Sequence, residues 1–540
     1  MTQSGAGRNA SLIAGGLALA AIGAVMAGAL AALAVTALTL PDDDRAVIDA
    51  YFWRVVRFTL VQAALSTILS VGFALPVARA LARRPDFPGR RAILNFFALP
   101  LALPALVVVL GVVGLWGHQG WINRGLAVLG LETGFDVYGL PGILIAHVFF
   151  NMPLAARLMV AHLDRIPGES WRLASQLGMT SSSLFRLIEW PVLRAGLPGI
   201  AALVFMLCIA SFTVVLTLGG GPAATTVEVA IYQALRFDFD PARAVTLALV
   251  QLGFTGICIV AIGQFALPLT VGADLGRAAA RPDTAALGGR IGDAALIVLA
   301  TTFLVLPLVS VALDALAAPL LRLMGEAAVH RALATSLGVA GSAAILAIGL
   351  TWALVKAAGA ARRKSRRQPA WRWFAWTCET GGSLILVMPP IVIGGGWFVL
   401  LRPVADVFAL APVLVIVINA LMAIPYASRI LGPALAEAAQ SHDRLCASLG
   451  ISGWNRFRRI DWPALKRPLG LAFAFAMALS LGDLGAIALF GSEDVRTLPL
   501  LLLQRMSSYR TADAAGLAGL LALLCLGLMW AADAAFRAKR

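Results

Sequence analysis

The chain is built from long apolar runs separated by short polar segments. The runs fall near residues 11–36, 57–82, 92–116, 139–163, 195–219, 243–267, 293–317, 331–356, 381–401, 409–430, 467–490 and 513–536. Each reaches the roughly 20 apolar residues that carry an α-helix across a bilayer core. The pattern predicts an all-α integral membrane protein with about twelve transmembrane helices. The first run is too long for the apolar region of a secretion signal and lacks a convincing cleavage site, so it reads as a retained anchor.

Composition agrees. Of 540 residues, 60% are hydrophobic and 13% charged, about half the charge of a soluble protein, and mean hydropathy is +0.86. This excludes a cytosolic enzyme, a disordered scaffold and a secreted disulfide module. The net charge of +15 is carried by arginine, because only Lys356, Lys364, Lys466 and Lys539 are lysines. In a soluble chain such basicity would suggest nucleic acid. Here the arginines cluster after even-numbered runs: Arg83 to Arg91, Arg165 to Arg194, Arg277 to Arg290, Arg362 to Arg372, Arg444 to Arg467, and the C-terminal tail. That is the positive-inside pattern; it places both termini in the cytoplasm and implies no nucleic-acid partner. The five cysteines are scattered, with no CxxC pair or Cys/His cluster, so neither a metal, a disulfide framework nor a cofactor is expected.

Two basic loops repeat each other. Residues 172–194 and 444–466 match at a constant offset of 272, with ten of 23 positions identical. The identities include Leu177/Leu449, Gly178/Gly450, Phe185/Phe457, Ile188/Ile460, Trp190/Trp462 and Pro191/Pro463, and Glu189/Asp461 keep their charge. The same offset pairs Thr225 with Thr497. Duplication accounts for this. The expected organisation is two tandem six-helix halves, 1–285 and 286–540, joined near 268–292. An even number of spans per half makes the halves parallel, related by a pseudo-twofold axis along the membrane normal.

Each loop combines an amphipathic stretch (Ile166 to Leu177 in the first), a glycine able to turn left-handed, and a proline thirteen residues later. One such loop reads equally well as a plain connector; two with identical spacing argue for a shared task. The spacing resembles the coupling-loop motif of ABC-importer permeases, Glu-Ala-Ala followed by Gly and then Ile-x-Leu-Pro. Gly178, Ile188 and Pro191, and Gly450, Ile460 and Pro463, keep the family's intervals. The Glu-Ala-Ala positions read Arg172-Leu173-Ala174 and Arg444-Leu445-Cys446, and the Leu before Pro is Trp190 or Trp462. Strings such as YGLPGILIAHVFFNMPLAARL at 138–158 and LGGGPAATTVEVAIYQALRFDFDPARA at 218–244 extend the likeness. From about residue 50 to the end, the chain resembles the fused thiamine and thiamine pyrophosphate permeases of ABC importers.

The resemblance implies a type I importer permease of the bacterial inner membrane. Its coupling loops would be 164–194, with Glu169, Arg172, Ala174, Gly178, Ile188 and Pro191, and 436–466, with Arg444, Gly450, Ile460 and Pro463. It implies two copies of a separate ATPase subunit and a periplasmic thiamine-binding protein as partners, and no catalytic residue in this chain. No GxxxxGK[ST] occurs, so the chain carries no P-loop of its own. Fused ferric-iron permeases share the plan, which leaves iron as an alternative cargo. An ion-coupled secondary transporter is the reading from another class, although such carriers place charged ligands inside the membrane and few occur here.

Among the candidate pathway residues Asp483 stands first, within the eleventh run between Gly482 and Gly485. An intramembrane acid usually faces a cavity or a partner, and flanking glycines permit local unwinding. It would either line the path of a cationic cargo or bond a neighbouring helix. His147, Asn151 and Asn419 are further candidates, though mid-span polar residues more often bond between helices. The outer loops 219–241 and 491–512 are expected to form a twofold surface for a two-lobed binding protein, with Glu228, Glu493 and Asp494 as its charges.

Overall fold

The computed structural model describes residues 5–39, 48–130, 134–265, 281–284, 287–365, 368–451, 453–492 and 495–536. Most of the joint between the repeats, Glu493, Asp494 and the C-terminal residues 537–540 lie outside them. Every described element is helical. Among the described residues, eleven helices are long and apolar enough to cross a membrane, and the shorter apolar helix Pro390–Leu401 joins them.

Four of the apolar runs are interrupted, and the interruptions recur. The third run divides into Arg90–Phe96, a 3₁₀ turn Leu99–Ala102 and, after extended Pro104, Ala105–Trp116. The ninth divides into Ala370–Leu384, a 3₁₀ turn Ile385–Val387 and, after extended Pro389, Pro390–Leu401. Proline explains both breaks, because it has no N–H and drives the preceding residue out of helical space. The fifth run breaks between Trp190–Ile209 and Phe212–Leu218, and the eleventh between Trp462–Gly482 and Gly485–Phe490. Hydropathy predicts continuous helices through all four, since apolar residues continue on both sides of each break.

The buried ends created at the fifth-run break are satisfied by side chains. Gln62 Nε2 donates to the carbonyl of Cys208 at 3.0 Å and Gln251 Nε2 to that of Ile209 at 3.4 Å. Both glutamines are fully buried, and in lipid an orphaned carbonyl would cost several kcal/mol.

The first helix of each repeat lies against the other repeat. Gly5–Thr39 packs on Ala327–Ser365 and Pro390–Leu401, while Leu287–Ala317 packs on Ala105–Trp116 and Ala50–Arg83. Helices in lipid associate through close backbone approach, which small residues permit. A Cβ at Gly396 would meet the Ala29 carbonyl at 2.6 Å, and one at Gly111 would overlap the Pro307 carbonyl. The two repeats therefore clasp each other.

A further pair of contacts corrects the expected register. Short helices Val227–Arg236 and Leu498–Ser507 start after Thr226 and Thr497. Their first N–H groups donate to buried hydroxyls, Val227 to Thr59 at 2.9 Å and Leu498 to Ser336 at 2.7 Å. The structural partner of Thr497 is thus Thr226 rather than Thr225, a one-residue shift that a fixed offset cannot follow.

Candidate functional site

The repeated loops differ at their entry and fold alike from their glycine onward. In the first, Leu140–Leu163 ends and a short helix Gly168–Gln176 follows; in the second, Ala411–Ser448 runs straight through the corresponding segment. Each then turns at its glycine, with φ +61° at Gly178 and +64° at Gly450, a conformation in which an L-residue's Cβ crowds the next carbonyl. The turn closes identically: Met179 N–H reaches the Ala174 carbonyl at 3.1 Å, and Ile451 N–H the Cys446 carbonyl at 2.9 Å.

One π-helical turn follows in each copy, Phe185–Glu189 and Phe457–Asp461. The N–H groups of Trp190 and Trp462 reach five residues back, to Phe185 and Phe457. The next residue is Pro191 or Pro463, which offers no N–H to the ordinary ladder, and widened turns arise at such interruptions. Each π-turn ends on a buried acid. Arg79 Nε donates to Glu189 Oε2 at 2.7 Å and stacks over Phe185 at 4.6 Å, and Arg281 pairs with the other carboxylate oxygen. Lys356 Nζ reaches Asp461 Oδ2 at 3.0 Å, with Arg456 a longer 3.4 Å from Oδ1. Arg79 and Lys356 come from Ala50–Arg83 and Ala327–Ser365. They stand 277 residues apart, not 272, and so escape a search at the repeat's own offset.

The outward face is polar and apolar at once. Glu169, Arg172, Gly178 and Gly450 are exposed and Ala174 is buried; Ile188, Pro191 and Ile460 are half-buried and Pro463 exposed. The Arg444 side chain lies outside the described residues. Leu173 and Leu177 stand exposed, as do Leu445 and Leu449 at the same positions of the second copy. The described part of the joint straps the first loop alone: Arg281 lies over Trp171 at 4.1 Å, and Asp283 binds Arg83 at 3.0 Å. Burial would raise the Asp283 carboxyl, but the Arg281 hydrogen bond and the charges of Arg281 and Arg83 outweigh it and hold the group below its ordinary 3.8.

The four helix breaks meet around a cavity of about 190 Å³. Its walls include corresponding residues of the two repeats, Ala105 and Pro390, Ser211 and Asp483, Thr213 and Gly485. The helix does unwind at Asp483, whose carboxylate accepts the N–H groups of Gly485 and Ala486 at 3.2 Å each. The other pathway candidates do not line this cavity. His147 Nδ1 bonds Ser66 Oγ at 2.8 Å, Asn151 Nδ2 donates to Cys208 Sγ at 3.4 Å, and Asn419 Nδ2 donates to Ser480 Oγ at 2.8 Å. These contacts tie helix to helix.

Glu228 requires a correction. Expected on an outer surface, it is 1% exposed, lines the same cavity, and accepts a hydrogen bond from Gln251 Nε2 at 3.3 Å. The outer loop folds Val227–Arg236 back among the long helices; the apolar string VEVAIYQAL was the available signal. Among the residues exposed at that end are two aromatic ones at matching places. Phe239 (φ +53°) and Tyr509 (φ +57°) are the only non-glycine residues with positive φ among those described. They are 61% and 91% exposed, and each stands just ahead of its repeat's last long helix, Pro241–Phe265 or Thr511–Phe536.

The chain matches the family described as binding-protein-dependent transport system inner membrane component over residues 345–539. It is 53% identical to the thiamine transport system permease protein ThiP of Brucella abortus over 528 residues, 98% of this chain and 96% of that one. Identity to ThiP of Escherichia coli is 45% over 503 residues, 93% and 92% of the two chains. For ThiP of Haemophilus influenzae it is 38% over 491 residues, 89% and 88%. Fold and relatives together define an inner-membrane permease component of binding-protein-dependent transport, a transport subunit rather than an enzyme. Within that class, the chain belongs to the ThiP family of permeases.

Proposed function

We propose that this chain is the permease of an ATP-binding-cassette importer that passes thiamine from a periplasmic binding protein to the cytoplasm. The observation that carries the reading is the duplicated loop, with its left-handed glycine, exposed leucine pair and π-turn seated on a buried ion pair. The two halves are 1–285 and 286–540, and each offers one loop, 164–194 or 436–466, so two ATPase copies dock. Glu169, Arg172, Ala174, Gly178, Ile188 and Pro191, with Arg444, Gly450, Ile460 and Pro463, make up the docking elements. Both loops and both termini lie on the cytoplasmic side, as the arginine pattern requires.

The loops act as levers. Closure of the ATPases moves the loops; Arg79–Glu189 and Lys356–Asp461 carry the motion into the second helix of each half; and the halves rock around the central cavity. At the opposite end, Phe239 and Tyr509 are placed to meet the two lobes of the binding protein. A positive φ on an exposed aromatic residue is strain of the kind retained at working surfaces. The identity of 53% to 38% with thiamine permeases favours thiamine over ferric iron as cargo.

The test is transport by the reconstituted complex of permease, ATPase and thiamine-binding protein in liposomes. Labelled thiamine should enter only with ATP and only with the binding protein present. Uptake driven by an imposed ion gradient without ATP, or preferential uptake of ferric iron, would overturn the reading.

A further inference from the structure

We infer that Arg281 and Arg456 are matched clamps of the two repeated loops, each a positioning residue that ties the segment ahead of the loop's glycine to the buried acid behind it. The inference rests on the ATP-driven importer reading above. In the second loop, Arg456 reaches Asp443 through Nη2 and Asp461 Oδ1 through Nε, the latter at 3.4 Å. In the first, Arg281 pairs with Glu189 and lies over the Trp171 ring at 4.1 Å. At the repeat's offset of 272, Trp171 corresponds to Asp443 and Glu189 to Asp461. One guanidinium therefore spans the same two positions in each copy.

The two arginines do not themselves correspond. The residue matching Arg456 is Leu184, which is fully buried, and the first loop takes its guanidinium from the joint between the repeats. A guanidinium suits both loops, because its face stacks on an aromatic ring and its edge bonds a carboxylate. The copies thus differ at the near end of the bridge and in the origin of the arginine, yet both have the bridge. A contact built twice from unlike residues answers a demand that the two loops share.

That demand is the transmission of force. Between the bridged positions each loop turns at a left-handed glycine with open space around it, and such a turn can hinge. Closed by its clamp, the exposed pair Leu173 and Leu177, or Leu445 and Leu449, moves together with the acid that Arg79 or Lys356 holds. Left open, the turn absorbs the stroke. The clamp side chains are only 6% and 16% exposed, so their pairing is screened less than a surface ion pair. The joint is a working part of the first loop, where Asp283 binds both Arg281 and Arg83 and sets the clamp in place.

The test compares Arg281→Ala and Arg456→Ala with Arg281→Lys and Arg456→Lys, which keep a cation beside the acid but lack the planar fork. Each permease is reconstituted in liposomes with the ATPase and the thiamine-binding protein. ATP hydrolysed per thiamine imported is measured beside the thermal midpoint. Each alanine variant should raise that ratio by about tenfold or more. Each lysine variant should raise it by about threefold with the midpoint of the wild type. Leu184→Arg added to Arg281→Ala puts the donor where the second loop has it, and should return the ratio to within about threefold of wild type. Amide exchange should rise at Met179 in the Arg281 variants and at Ile451 in the Arg456 variants, each without change in the other loop. A ratio within about twofold of wild type in both alanine variants, hydrolysis and uptake lost in equal proportion in the lysine variants, or no recovery from Leu184→Arg would overturn the inference. Should an alanine variant fail to insert, the lysine variant at that position decides, and a wild-type ratio there sinks the clamp. A wild-type complex that imports no thiamine with ATP would instead defeat the importer reading, so the two failures are distinguishable.

Discussion

The residues on which the proposed lever action of the repeated loops rests are the buried acids at the ends of the π-turns. Glu189 is fully buried between Arg79 and Arg281, and Asp461, 5% exposed, lies against Lys356. Removing one member of a buried pair leaves an uncompensated charge, which costs far more than a surface pair is worth. Glu189→Gln should therefore lower stability by about 3 kcal/mol, read as a fall in the thermal midpoint of the detergent-solubilised protein. Thiamine uptake should fall with it. An unchanged midpoint would mean that the pair neither braces the loop nor transmits its motion. The charge identity of these acids was visible in the repeat. Their partners were not, because the helices bearing Arg79 and Lys356 follow a different offset.

At the scale of the element, the loop's shape depends on its glycine. A Cβ placed at Gly178 or Gly450 meets nothing within 4 Å, so a substitution there causes no clash within the chain. The left-handed φ costs an L-residue about 1–2 kcal/mol, and a new side chain projects into the face that the proposed docking gives to the ATPase. Gly178→Asp and Gly450→Asp should accordingly insert normally while ATP hydrolysis loses its connection to uptake. Membrane yield, ATPase rate and transport measured side by side check this, and normal transport by both variants would refute the docking role. The glycine, the proline and their spacing were legible because they act through local backbone chemistry. The π-turn between them was not, since its wide ladder is the response of several amides to one missing donor.

At the scale of the whole molecule, the two repeats hold each other by their first helices and enclose the cavity at their shared breaks. That arrangement places Phe239 and Tyr509 at equivalent points of the end opposite the loops. Phe239→Ala and Tyr509→Ala should each weaken docking of the thiamine-loaded binding protein, the double variant by about tenfold or more, with the thermal midpoint unchanged. Direct binding to the solubilised complex reads the first quantity and thermal unfolding the second. Undiminished docking by the double variant would remove these residues from the interface.

The sequence by itself determined the number of apolar helices, the gathering of basic residues in alternate loops, and the duplicated loop with its glycine and proline. Those features follow from how each segment partitions between lipid and water and from how single residues bias their own backbone, so they can be read one segment at a time. Tertiary structure alone decided that four of the helices break, that the breaks converge, and that Glu228 leaves the outer surface to share a cavity with Asp483. It also decided that each repeat's first helix lies on the other repeat, where Gly111 and Gly396 let backbones touch. These outcomes depend on which faces meet across the bundle. Buried polar groups such as Gln62 and Thr59 find their partners there, on Cys208 and Val227, more than a hundred residues away along the chain.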